Sequence, residues 1–177
     1  MAAEARVCLG GKDVIVREGD LFVVQSPGVL NFVLGLVGGG FSHIATAVTL
    51  QGRIVAVSVY TTGVFVEPLS HFDKPAYTKL AIVRPHVPRT SAQTAMLRLA
   101  SMRPLQLDAQ RKHLTYDSVA EFARTAFGLP AGTSDRFTCS EMTARLADAA
   151  GAWPTGHTFA TRVDTAAKLI GTMERVF

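Results

Sequence analysis

The sequence predicts an α+β fold in one domain, with a central antiparallel sheet packed by helices. Three observations carry this. Short β-rich runs fill the first half, helix-capping patterns with 3.6-residue apolar spacing fill the second, and strands before helices imply one layered unit rather than βαβ repeats. The chain has 177 residues, 48% hydrophobic and 18% charged, which is enough for one core without disulfides or structural metal. The low charge excludes a disordered chain or a charge-laced coiled coil. Two cysteines, Cys8 and Cys139, exclude a disulfide scaffold and a Cys-only zinc cluster.

Val14–Val16 and Leu21–Val24 read as strands on either side of Glu18-Gly19-Asp20. His43–Leu50 and Arg53–Tyr60 are longer runs joined by Gln51-Gly52, which predicts a two-residue hairpin whose partners sum to 103. Both runs are apolar on both faces, so the hairpin belongs in the middle of the sheet with helices over it. Val64–Glu67 and Lys79–Val83 complete the strands.

Thr90-Ser91-Ala92-Gln93 is a capping box. It opens a helix with Ala92, Met96, Leu99 and Ala100 as its apolar face, ending before Pro104. Asp117 caps a helix carrying Val119, Phe122, Ala126 and Phe127. Thr138-Cys139-Ser140-Glu141 is a second capping box, and its helix ends at Gly151. Residues 152–161 form a surface loop, and Asp164 starts a last helix with Leu169, Ile170 and Met173.

The net charge of +4 is spread along the chain, so no basic tract marks a nucleic-acid partner. The N-terminus lacks the apolar core of a Sec signal. The expectation is synthesis in the cytoplasm, with a signal-less export route open to it. The most apolar stretch, Pro27–Phe41, is too short to span a bilayer and ends in glycines. It reads either as a buried short helix with a loop or as a substrate- or lipid-facing lip, Val29–Val37, that gives peripheral membrane or cell-wall contact.

Cys139 follows the capping Thr138, so its sulfur lies at a helix N-terminus, where free N–H groups and the helix dipole favour thiolate. Its own N–H is free to donate to an oxyanion. On the local sequence alone, an inert buried cysteine is the more common reading. His43 opens a strand directly after Gly38-Gly39-Gly40 and is the candidate base; a structural histidine is the alternative. His71, His86, His113 and His157 lie near turns or prolines without metal-ligand spacing, so no metal or other cofactor is expected. Histidine bases usually have an orienting third group. In the predicted register His43 faces Tyr60, with Ser58 one diagonal step away on the same face. Asp20 is the nearest carboxylate in sequence, although Gly19-Asp20 also reads as turn chemistry. Cys8 reads as a small apolar residue.

Glu18-Gly19-Asp20-Leu21-Phe22, Phe41-Ser42-His43-Ile44-Ala45, Gly63-Val64-Phe65-Val66-Glu67-Pro68-Leu69-Ser70, Tyr116-Asp117 and Cys139-Ser140-Glu141 occur in that order. Together they resemble the circularly permuted NlpC-type papain-like proteins, in particular the YiiX-like branch, related to lecithin:retinol acyltransferase. The resemblance runs from Glu18 to Gly151. It implies a permuted papain-like fold with the histidine strand before the cysteine helix, Cys139 as nucleophile and His43 as base. The family's glutamate ahead of the Gly63 strand is here Ser58, so Ser58, Tyr60, Asp20 or no third residue fills that role. Tyr116 matches the family's Tyr-Asp pair and would line the substrate site, as would Tyr60.

The resemblance implies a cysteine hydrolase of amide bonds acting through an acyl-enzyme, with bacterial cell-wall peptides as first choice. Lipid-linked acyl groups are the second choice, and a binding module that has lost catalysis is the third. An immunity or delivery partner would accompany an exported effector of this kind.

Overall fold

In the computed structural model, residues 3–28, 40–60, 63–85, 90–109, 143 and 173–177 are described. The strands are β1 Glu4–Leu9, β2 Lys12–Arg17, β3 Leu21–Gln25, β4 His43–Leu50, β5 Arg53–Tyr60, β6 Gly63–Glu67, β7 Lys79–Arg84 and β8 Glu174–Arg175. A 3₁₀ turn spans Leu69–Phe72, and helix α1 spans Ser91–Ala109. β1 and β2 form a separate hairpin, and the other six strands make an antiparallel sheet in the order β6-β5-β4-β3-β7-β8.

The expected hairpin is present with its bounds and register: Thr46 pairs with Val57 and Leu50 with Arg53. Its turn has positive φ at both Gln51 (49°) and Gly52 (78°), the combination that matches the twist of the flanking strands. β1 was not anticipated. It joins β2 through Gly10-Gly11, again with both φ values positive. Its residues alternate between exposed and half-buried, too weak an apolar signal to stand out. Cys8 is exposed on this strand, not packed as a small core residue.

The sheet is buried on both faces, and among the described residues a helix covers one of them. Leu97 of α1 and Met173 pack on the face carrying Val48, Val57, Val59, Val64, Leu21, Val23, Ile44 and Val83. The other face carries Phe22, Val24, Ala45, Ala47, Ala56 and Ile82 and lies under Leu9, Val14 and Val16 of the hairpin and Leu69 and Phe72 of the 3₁₀ turn. The Phe22 and Phe72 ring centroids are 4.6 Å apart. Small alanines in β4 and β5 leave room for these larger side chains, the interdigitation that native packing density requires.

The capping box forms as expected: Gln93 N–H donates to Thr90 Oγ1 at 3.2 Å, and Thr90 N–H to Gln93 Oε1 at 2.8 Å. Two expectations for this helix fail. It continues through position 104 to Ala109, despite the local disfavour of an interior proline, and Leu105 packs against the cluster that holds Leu97. Among the side chains described, Leu97 and Ser101 are buried, while Met96 and Leu99 are 49% and 65% exposed, so the face in contact is rotated from the one with the larger apolar residues. Met173 stands in a bend directly before β8 rather than in a helix.

Two ion pairs brace the bend between β2 and β3. Arg98 Nε and Nη2 reach Glu18 Oε1 and Oε2 at 2.8 and 2.7 Å, tying α1 to the sheet. Thr49 N–H also donates to Glu18 Oε1 at 3.1 Å. Burial works to raise the Glu18 pKa, but these bonds and the Arg98 charge outweigh it and hold the carboxyl below its usual range. Arg84 grips Asp20 in the same two-pronged way, at 2.9 and 2.7 Å. Among the described residues no helix is long and apolar enough to cross a membrane.

Candidate active site

His43 is the first residue of β4 and pairs with Val24 of β3. It therefore shares the sheet face of Ala45 and Ala47, the face beneath the 3₁₀ turn. Tyr60 ends β5 on that same face, and the two rings stack with centroids 4.3 Å apart and planes 16° from parallel. The sequence-derived register thus brings His43 and Tyr60 together. His43 is only 6% exposed, and its Nε2 is buried with no hydrogen-bond partner among the described residues. Such atoms are rare in folded proteins and need a reason. Burial, followed by the nearby charge of His71, lowers the His43 pKa to about 4. The imidazole is therefore neutral at pH 7, the form that accepts a proton.

A carboxylate that sequence reasoning did not single out organises the rest. Glu67 is the last residue of β6, opposite Ala56 of β5, so its side chain shares a face with Ser58 and Tyr60. Its Oε2 accepts from Tyr60 OH at 3.0 Å and from Ser58 Oγ at 3.1 Å. Pro68 then ends the strand, and the 3₁₀ turn folds His71 back so that its Nε2 lies 2.9 Å from Glu67 Oε1. Tyr77 OH is 3.0 Å from the same nitrogen, and Lys74 Nζ is 3.0 Å from His71 Nδ1. An ammonium only donates, so Nδ1 faces a donor, while Nε2 faces the Glu67 carboxylate and the Tyr77 hydroxyl. Burial first, and then the Glu67 charge, raise the pKa of Tyr60 far above the usual phenol value. Tyr60 thus stays a phenol and a donor. Phe65, 41% exposed, meets the Tyr60 ring edge-on at 5.3 Å.

Ser58 is fully buried and its hydroxyl is turned to Glu67. Asp20 is not brought to His43. It is held by Arg84 and by the Arg17 N–H, 2.8 Å away, at the far end of β3 from Val24. Four residues of strand at ~3.3 Å each separate it from the histidine's partner by about 13 Å. His71, read from the sequence as a histidine near a turn, closes the Glu67 cluster. Cys139, Tyr116 and the apolar stretch 29–39 lie outside the described residues, as do His86, His113 and His157. Thr143, within the segment expected to form the cysteine helix, is helical and buried.

Glu67 carried a usable signal. It follows Ser58 and Tyr60 in a strand pairing whose partners sum to 123, and that register places it on the histidine's face. His71 follows at i+4 but reaches back only because the backbone leaves β6 through Pro68 into a 3₁₀ turn, which the local pattern did not reveal.

No protein-family model matches the sequence, and no curated protein matches it significantly. A solved structure does. The crystal structure of metalloprotein YiiX from Escherichia coli O157:H7 superposes with a TM-score of 0.63 over 90% of this chain and 96% of that one, at 14% sequence identity. Among the described residues no three or more His, Cys, Asp or Glu side chains are grouped to hold a metal ion. At 14% identity the likeness concerns architecture: this chain has a YiiX-like α+β fold.

Proposed function

We propose that the protein is a cysteine hydrolase of amide bonds, with Cys139 as nucleophile and His43 as base. The observation that supports this most is the buried Nε2 of His43, which has no hydrogen-bond partner among the described residues. A thiol at that nitrogen would satisfy it and would supply the group whose proton a neutral imidazole takes. A thiolate beside the ring would also favour imidazolium and so raise the low pKa that burial imposes.

In this mechanism Nε2 takes the Cys139 proton and the sulfur attacks the substrate carbonyl carbon. The carbonyl π electrons move to oxygen, where the Cys139 N–H donates to the oxyanion. Collapse breaks the C–N bond, and the imidazolium gives its proton to the departing amine. Water then attacks the thioester, passes a proton to His43, and releases acid as the thiol re-forms. Peptides of the bacterial cell wall are the first substrate choice, and lipid-linked acyl groups are the second.

One observation favours a rival. A histidine with a pKa near 4 is a weak base, as expected of a binding module that keeps the fold without turnover. Incubation with cell-wall fragments and with phospholipid vesicles, followed by mass spectrometry, separates the readings. An acyl adduct on Cys139 that is absent from Cys139→Ala, with its mass naming the substrate class, is expected. Full turnover by Cys139→Ala would sink the hydrolase mechanism. No adduct with either substrate, together with a thiol pKa near 8.5, would favour the binding module.

A further inference from the structure

We infer that Glu67 is the positioning carboxylate of this site, acting on His43 through Tyr60. The His43 ring is set by the face of Tyr60, 4.3 Å away and nearly parallel. Tyr60 is fixed at two points: its hydroxyl donates to Glu67 Oε2 at 3.0 Å, and Phe65 meets its ring edge-on. Glu67 is fixed in turn from its other side, where Oε1 lies 2.9 Å from His71 Nε2. Ser58 supplies a further donor to Oε2. The carboxylate therefore gathers three side chains from β5 and the 3₁₀ turn, and one of them carries the plane of the imidazole.

This accounts for Ser58 as well. A serine hydroxyl is a poor partner for an imidazolium, but it is a good donor to a carboxylate arriving from the neighbouring strand. The negative charge stands behind the tyrosine rather than on the histidine. Glu67 thus acts by holding the ring's orientation, and the buried Nε2, which has no partner among the described residues, is kept for the reacting group.

The kinetic arm of the test rests on the cysteine-hydrolase reading, and the spectroscopic arm does not. Protein labelled at the histidine ring carbons is compared by ¹H–¹³C NMR as wild type, Tyr60→Phe and Glu67→Ala. In the wild type the stacked tyrosine ring shifts the His43 ring protons upfield and gives nuclear Overhauser contacts to Tyr60. Both variants are expected to move the His43 resonance toward that of a free imidazole and to weaken its contacts with residue 60. On a confirmed substrate, kcat should fall about tenfold, the rate equivalent of one hydrogen bond, with KM within about twofold because no substrate contact is removed.

Glu67→Ala leaves three donors unpaired and can fail to fold; Tyr60→Phe keeps the ring and then decides the matter alone. An unmoved His43 resonance in Tyr60→Phe overturns the inference. A wild type without turnover on any acyl substrate defeats the hydrolase reading instead, and the ring measurement still judges the positioning.

Discussion

Acidification should destabilise the protein through His43 in a way that one variant can isolate. The folded state holds the imidazole at a pKa of about 4 against an ordinary 6.5. Between those values the unfolded chain binds a proton that the folded chain refuses, so stability rises with pH across this window. The contribution is complete above pH 6.5 and is lost as pH falls toward 4. Linkage over the two pKa values gives a loss of about 2 kcal/mol between pH 7 and pH 5 and about 3 kcal/mol by pH 4. Carboxylates such as Glu18 add their own acid dependence, but it is common to wild type and to His43→Gln and cancels in the difference. Urea unfolding of both proteins at pH 7 and pH 5 is the assay. The wild type should lose about 2 kcal/mol more than His43→Gln over that interval. Equal losses would mean that His43 titrates as an exposed histidine, which would refute the buried neutral ring.

Two further outcomes test the frame around the site. Arg98→Ala should cost about 2 kcal/mol in urea unfolding at pH 7, because it removes the charged partner of the buried Glu18 carboxylate; the half-exposed arginine keeps the loss below that of a fully buried pair. Its removal should also blunt the acid sensitivity that a depressed Glu18 pKa confers. That stability is present above the ordinary value of 4.5 and disappears as pH falls through the lower folded value, and an unchanged acid limb would contradict the pairing. Gln51→Asn should raise stability by about 0.5–1 kcal/mol, since asparagine accepts the positive φ of this turn more readily than glutamine; a lower melting temperature would count against the turn geometry.

The legible parts of the fold are those fixed by local chemistry. Gln51-Gly52 sets a two-residue turn, and that turn alone sets the register that stacks His43 on Tyr60. Thr90 and Gln93 set the start of α1 for the same reason. What escaped depends on contacts distant in sequence. The sheet chooses Leu97 over the more prominent Met96 and Leu99, and the helix runs past Pro104 to place Leu105 against the same core cluster. Asp20 looked available as an orienter, but its partner, Arg84, lies in β7 and is not evident from the residues around Asp20. Glu67 sits beside a proline in a motif that reads as a strand end, and its three donors converge only once β5, β6 and the 3₁₀ turn are assembled.

The sheet order has a consequence for how the site comes into being. β4, β5 and β6 are neighbours in sequence as well as in space, whereas β3 must find β7 across more than fifty intervening residues. Short loops close early and long ones late. The meander that carries His43, Ser58, Tyr60 and Glu67 is therefore expected to form first, with the β3–β7 pairing added to it. The histidine half of the site is encoded in one short stretch of chain, so it can assemble, and can be altered, as a unit.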